Sequence, residues 1–331
     1  MSRRVASPEL LAARSAVAES IADVPAGEIV LVACSGGPDS LALAGSAAWV
    51  GGRNGIDIRA VVVDHGLQAD SDDVAREAAA ACGDLGVMAE VVRVSVGSAG
   101  GPESAARTAR YGALEEAAER AGASTVLLGH TREDQAETVL LRLARGSGAR
   151  SLSAMSARSG RWRRPFLALP RADVHAVAAE LLSPFGRMPW TDPHNADREF
   201  ARVRVRELLS ALVADLGPGV VLGLARSADQ LRDDADALDA LADESFRLLM
   251  TPETGGWTGD CQQLGELPAA IRTRVIRRAA LDCGAPADAL GHDHVRRIDD
   301  LVVRWRGQGE IRLPGGVMAE RVCGRLCLHP A

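Results

Sequence analysis

Between Ile29 and Arg145 the chain alternates a short apolar run with a stretch of helical periodicity, four times over. Ile29–Cys34, Ile58–Asp64, Val87–Val94 and Thr125–Leu128 read as strands, and the stretches near 39–50, 72–85, 103–121 and 133–145 read as helices. Continuous apolar runs suit strands covered on both faces. The pattern therefore predicts βαβ units with right-handed crossovers: an α/β fold, Rossmann-like, with a parallel sheet and helices on both faces. Ligands of such sheets bind beyond the carboxyl ends of the strands. Three of the four ends here carry glycine and polar residues, namely Ser35-Gly36-Gly37-Pro38-Asp39-Ser40, Asp64-His65-Gly66 and Gly129-His130. They point to one site.

An amphipathic helix over 8–23 precedes this core, and an arginine-rich connector over 146–171 follows it. Helices near 173–182 and 198–212 flank a loop through Trp190–Asn195. Pro218 marks a break that divides the 331 residues into a first domain, 1–216, and a smaller, mainly helical second domain, 217–331. The second reads as helices near 220–250, 268–281 and 292–304, with short terminal strands near 310–313, 316–321 and 325–328.

Composition closes several routes. All 38 basic residues are arginine. A Walker A loop, a kinase lysine and a Schiff-base lysine are thereby excluded. Eight arginines and no acid lie between Leu141 and Arg171, a block able to meet a polyanion, while Asp229–Glu244 is acidic and reads as a solvated helix face. The six cysteines outline no zinc or disulfide framework and read as small core residues. No apolar run reaches transmembrane length and the first residues carry no secretory pattern, so no membrane and a cytoplasmic location are expected.

The Ser35–Ser40 turn between a strand and a helix has the chemistry of an anion cradle. Gly36 and Gly37 let the backbone approach a phosphate, and successive amides at a helix start, here past Pro38, supply positive potential. Ser35 and Ser40 add hydroxyl donors. Asp39 would repel phosphates unless a Mg2+ bridges them, so it implies that metal, held through the phosphates.

This loop resembles the PP-loop of the N-type ATP pyrophosphatases. Further segments narrow the resemblance to the tRNA(Ile)-lysidine synthase family: Val63-Asp64-His65-Gly66-Leu67, Glu103-Ser104-Ala105-Ala106-Arg107 leading to Arg110-Tyr111, Gly129-His130-Thr131-Arg132-Glu133-Asp134-Gln135-Ala136-Glu137-Thr138 and Arg145-Gly146-Ser147-Gly148. Arg164-Pro165, Trp190-Thr191-Asp192-Pro193-His194-Asn195, Arg202-Val203-Arg204-Val205-Arg206 and the ending from Gly307 to Gly316 extend it. The resemblance implies an adenine nucleotide alpha-hydrolase-like fold. It further implies ATP and Mg2+ as cofactors, L-lysine as a substrate and an isoleucine tRNA with a CAU anticodon as partner. The wobble cytidine is adenylated at O2 with loss of pyrophosphate, and a lysine amine then displaces AMP at carbon 2. A homodimer is compatible with two domains that must span an anticodon arm.

The residue chemistry has room for those roles. Arg107 and Arg110, three apart on one helix, can neutralise an α-phosphate, unless they only pair with Glu103 or Glu115 on the helix surface. Asp134 and Glu137 also share a face, and two carboxylates beside phosphates call for a cation, either the lysine ammonium or Mg2+. The resemblance favours lysine, and helix N-terminal charge decoration is the alternative. Asp64, His65, Gly129 and His130 are expected to contact the nucleotide. Arg202, with Arg206 one turn on, is expected to extend the positive site toward tRNA or the adenylate. Arg161-Trp162-Arg163-Arg164 interleaves charge with a stacking ring and is expected to touch the anticodon loop. The sequence departs from the family where it has Glu133-Asp134 for two aspartates and His194 for a serine. A sulfur-transferring enzyme is disfavoured, because Cys34 and Cys82 are not expected to form a cysteine pair beside the site.

Overall fold

A computed structural model of the chain describes residues 5–66, 70–95, 97, 102–146, 148–192 and 197–331, and its contacts divide into two units, Met1–Gln230 and Leu231–Ala331. The division thus falls later than the Pro218 break, inside the helix Gly219–Leu249.

The first unit begins with α1 (Pro8–Ser20), capped by the Ser7 hydroxyl, which accepts from the Leu10 amide at 3.1 Å. The expected alternation follows as β1 (Ile29–Cys34), α2 (Pro38–Asn54), β2 (Asp57–Asp64), α3 (Ser71–Asp84), β3 (Met88–Arg93), α4 (Pro102–Ala121), β4 (Thr125–Leu127) and α5 (Arg132–Leu143). Side chains along β1 alternate between two cores, as the two-residue strand period requires. Val30, Val32 and Cys34 join a cluster with Leu41, Ala44, Phe166 and Val177, while Leu31 joins another with Val61, Leu114 and Val126. Helices therefore cover both faces.

Strand order is β3-β2-β1-β4, then β6 (Trp162–Arg163) and β5 (Arg158–Ser159). The last two strands, with α6 (Ala149–Leu152), lie in the stretch expected to be an irregular connector. β6 runs parallel to β4 and antiparallel to β5. Two-residue strands are too short to show a period, and their register comes from β4. The order reverses between β1 and β4, so the loops after these two strands open on the same crevice. α7 (Arg171–Leu182) and α8 (Ala201–Leu216) complete the unit.

α9 (Gly219–Leu249) leads into the second unit, which holds β7 (Met250–Glu253), β8 (Gly256–Asp260), α10 (Cys261–Glu266), α11 (Ala269–Asp282), α12 (His292–Val303), β9 (Ile311–Leu313), β10 (Val317–Val322) and β11 (Arg325–Pro330). The terminal strands join β7 and β8 in one antiparallel sheet of order β7-β8-β11-β10-β9 around a core that includes Val275, Ile276, Ile298, Leu301 and Leu326. Among the described residues no single helix is long and apolar enough to cross a membrane.

Candidate active site

Gly36 has φ +79°, and a Cβ there would stand 2.9 Å from the Ala78 Cβ, so the turn tolerates only glycine. Gly37 is the N-cap of α2 and has no side chain to satisfy the first-turn amides, which leaves them for an anion. The Trp190 amide donates to the Gly36 carbonyl at 3.0 Å and ties the 190 loop to the turn. Ser35 is exposed, but Ser40 is buried. The Ser40 hydroxyl donates to the Gly37 carbonyl at 2.9 Å and accepts from the Ser35 amide at 3.1 Å. Without ligand, Ser40 thus braces the cradle from within, and the Ser35 hydroxyl is the more exposed of the two. The loop after β4 packs directly on this turn, since a Cβ on Gly129 would lie 3.0 Å from the Asp39 carbonyl oxygen.

Asp39 projects from the first turn of α2. Its Oδ1 is shut off from solvent and lacks a hydrogen-bond partner, although His175 Nε2 of α7 stands 3.2 Å away. Burial, then the neighbouring Asp134 charge, pushes the Asp39 carboxyl up to about 7. A carboxylate so disfavoured, with an open oxygen beside a phosphate cradle, fits a Mg2+ shared with the phosphates. Among the described residues no protein cluster of three metal-ligating side chains competes for that role.

Asp64, at the end of β2, accepts from the Gly66 amide at 2.9 Å and lies 3.8 Å from Arg93. Burial opposes its charge, yet the Gly66 amide and Arg93 hold it below the ordinary carboxylate range. The His65 pKa is lowered by burial and by Arg110. For His130, burial and the charges of Arg110, Arg164 and Arg202 outweigh Asp134 and push the imidazole down to about 3, so it stands neutral. Arg107 is exposed, donates to the Tyr111 hydroxyl at 3.3 Å and lies 4.9 Å from that ring's centre. Neither arginine of this pair is taken up by Glu115, which binds Arg161 at 3.1 Å, and the side chain of Glu103 lies outside the described residues.

The carboxylate pair is not the bare cation trap that its spacing suggests. Arg171 Nη2 donates to Asp134 Oδ1 at 3.0 Å and to Glu137 Oε1 at 3.1 Å, and Arg206 Nε donates to the same Glu137 oxygen at 3.1 Å. Burial works against the Arg171 charge and the carboxylates overcome it. Burial likewise raises Asp134, and Arg171 with the Thr131 amide brings it below its ordinary value. Sequence reasoning counted Arg171 only within the basic block, with no part at the carboxylate pair, and gave none to His175. Nothing local marks them, because both arrive from α7 across the crevice.

Two arginines of the basic connector turn inward, while Arg145, Arg150 and Arg158 stay exposed. Arg163 is buried and holds Asp23 and the Ser20 carbonyl, Arg164 donates to the Ser156 carbonyl at 2.9 Å, and Trp162 stacks edge-on against Tyr111 at 4.9 Å. These side chains assemble the sheet edge, against the expectation of an anticodon-loop contact. The cysteine expectation also changes. Cys82 Sγ lies 3.4 Å from Cys34 Sγ, and Cys34 Sγ lies 3.6 Å from Ser40 Oγ, so two buried thiols do meet beneath the cradle. His194 and Asn195 lie outside the described residues.

A PP-loop domain family matches residues 11–212, and a TilS substrate binding domain family matches residues 260–327. The tRNA(Ile)-lysidine synthase of Thermobifida fusca is 53% identical over 321 residues, covering 96% of this chain and 97% of that relative. That of Streptomyces coelicolor is 51% identical over 311 residues, covering 92% and 86%. The chain belongs to the tRNA(Ile)-lysidine synthase family. Among solved structures, a U34-tRNA thiolase, NcsA from Methanococcus maripaludis with its 4Fe-4S cluster, superposes with a TM-score of 0.55 at 17% identity, covering 68% of this chain and 79% of that one. That likeness concerns the fold. Of the residues quoted for the lysidine synthase resemblance, the turn after β1, Gly129 and His130 after β4, Asp134 and Glu137 of α5, and Arg206 of α8 thus meet in the first unit around the crevice between β1 and β4.

Proposed function

We propose that the chain ligates free lysine to carbon 2 of the wobble cytidine of a tRNA(Ile) with a CAU anticodon. The observation that carries this reading is a set of orphaned atoms. Asp39 Oδ1, His65 Nδ1, Arg110 Nε, His130 Nδ1 and Glu137 Oε2 are all buried without a hydrogen-bond partner. Buried polar atoms are rarely left unpaired, and five on residues around one crevice call for ligands that supply the partners.

In the first step the cytidine O2 attacks the α-phosphorus of ATP, and the bond to the β-phosphate oxygen breaks. Pyrophosphate leaves into the amide cradle of Ser35–Ser40. Asp39 would hold a Mg2+ together with the phosphates, where the metal would offset their charge. Arg107 and Arg110 neutralise the α-phosphate, while Asp64, His65, Gly129 and His130 line the nucleoside side. In the second step a neutral lysine amine bonds to carbon 2, AMP departs with the O2 oxygen, and the proton left on the new carbon–nitrogen bond passes to solvent. Glu137 receives the lysine ammonium and Arg202 extends the positive surface toward the adenylate. Free lysine, ATP and tRNA coincide in the cytoplasm, and a homodimer is the assembly we pair with this reading.

The test incubates the protein with ATP, Mg2+, labelled lysine and an unmodified CAU transcript. Incorporation of label with release of AMP is expected. Transfer of labelled sulfur without lysine incorporation would end this reading. Asp39→Asn should abolish pyrophosphate release, whereas Glu137→Gln should lose lysine transfer more than adenylation.

A further inference from the structure

A count of oxygen atoms divides the labour within the Asp134–Glu137 pair. Asp134 Oδ2 accepts from the Thr131 amide at 2.7 Å and from the Thr131 hydroxyl at 3.0 Å, closing the start of α5. Asp134 Oδ1 is taken by Arg171. Neither oxygen of Asp134 is without a partner. Glu137 is fully buried and its Oε1 already accepts from Arg171 and Arg206. Only Glu137 Oε2 lacks one.

Arg171 is built to hold this arrangement. It is the first residue of α7, and its own amide donates to Glu133 Oε2 at 2.8 Å. Main chain and side chain are thus both pinned to the first two turns of α5. One nitrogen, Nη2, reaches both carboxylates, and that geometry fixes the plane of the Glu137 carboxylate and hence the placement of Oε2. The Arg171 side chain is 19% exposed and that of Arg206 39%. Arg171 is therefore the more constrained of the two guanidiniums.

We infer that Arg171 is a positioning residue for lysine, fixing Glu137 so that Oε2 alone accepts the substrate ammonium, while Asp134 serves as the strut between α5 and α7. This rests on the proposed ligation. It excludes an ammonium shared equally by the two carboxylates, and it makes a neighbouring helix, not the α5 motif, responsible for the geometry of lysine capture.

The test is steady-state kinetics of the full chain with CAU transcript, varying lysine at saturating ATP and varying ATP at saturating lysine. For Arg171→Ala the KM for lysine should rise about tenfold or more, with a smaller change in the KM for ATP. Arg171→Lys keeps the charge, but its ammonium sits on a flexible stem one atom shorter than that of Nη2 and does not reach both carboxylates in the same geometry, so it should fall between the two. If Arg171→Ala does not fold, Arg171→Lys decides by itself, since an unchanged KM for lysine in that variant overturns the inference. An equal drop in kcat for every variant, with the KM for lysine unmoved, overturns it as well and leaves Arg171 a packing role. Failure of the unaltered protein to incorporate lysine would instead sink the ligation reading.

Discussion

Gly129 lies against the backbone of Asp39, so that a Cβ at position 129 would stand 3.0 Å from the Asp39 carbonyl oxygen and 3.3 Å from the Ser40 amide nitrogen. The obstacle is the main chain of the cradle, which cannot yield without tilting the amides meant for phosphate. Gly129→Ala should cost about 1–3 kcal/mol of stability, as overpacking typically does, and weaken ATP binding. Gly52, exposed in α2 with nothing within 4 Å, is the control. Gly52→Ala should stabilise by about 0.5–1 kcal/mol and leave ATP binding alone. Thermal melts and ATP titrations measure both.

Asp39 predicts a pH dependence of definite sign. Its carboxyl is raised to about 7, so between its ordinary value near 3.8 and about 7 the folded chain binds more protons than the unfolded one. Stability of the ligand-free protein therefore falls as pH rises through that window and levels off above it. Asp39→Asn should flatten this slope and raise the melting temperature near neutral pH while abolishing adenylation. The affinity for Mg2+ with ATP should rise through pH 7 in the unaltered protein. Melting curves across the window that show no difference between Asp39 and Asn would falsify the burial argument.

His130 should stay neutral wherever the enzyme works. Its imidazole is pushed to about 3, so no His130 titration should appear in NMR spectra between about pH 5 and 8. Below the ordinary histidine value, the unfolded chain gains a proton that folded His130 refuses. Its contribution therefore weakens the fold as pH drops toward 3, and His130→Gln should remove that component.

The two thiols offer a test of chemistry. Cys34 and Cys82 meet at 3.4 Å under the cradle, but the proposed ligation routes nothing through sulfur. The double replacement by alanine should keep lysine incorporation at a substantial fraction of the original rate and cost about 1–2 kcal/mol in packing. Loss of activity in a folded double variant would reopen the sulfur-transfer alternative.

Arg163 separates assembly from RNA contact. Buried and bound to Asp23 and the Ser20 carbonyl, it should matter to folding and not to tRNA affinity. Arg163→Ala should lower the melting temperature by several degrees, and the folded fraction should bind tRNA as before. A gel-shift series with CAU transcript checks the second half.

Much of this was legible along the chain. The four apolar runs located β1 to β4 within a residue at each end; for β1, β2 and β4 the reason is that strands covered on both faces need apolar sequence, whereas β3 is a largely exposed edge strand. Gly36-Gly37-Pro38-Asp39 announced the cradle, because a left-handed turn and a helix start have local residue requirements. Thr131 and Asp134 stand at the spacing of a capping box, a local signal that the carboxylate reading overlooked.

What stayed hidden is whatever depends on two distant segments meeting. β6 is a strand because β4 lies beside it, and Arg163 and Arg164 are buried because that edge closes over them. Spacing put Asp134 and Glu137 on one face, but only the approach of α7 supplied Arg171 and consumed three of their four oxygens with the help of Thr131 and Arg206. The sequence alone determined the nucleotide cradle and the chemistry available to it, since both are written in contiguous residues. The tertiary structure decided which polar atoms remain open for substrate, because a hydrogen bond across the crevice leaves no periodic trace in either segment that makes it.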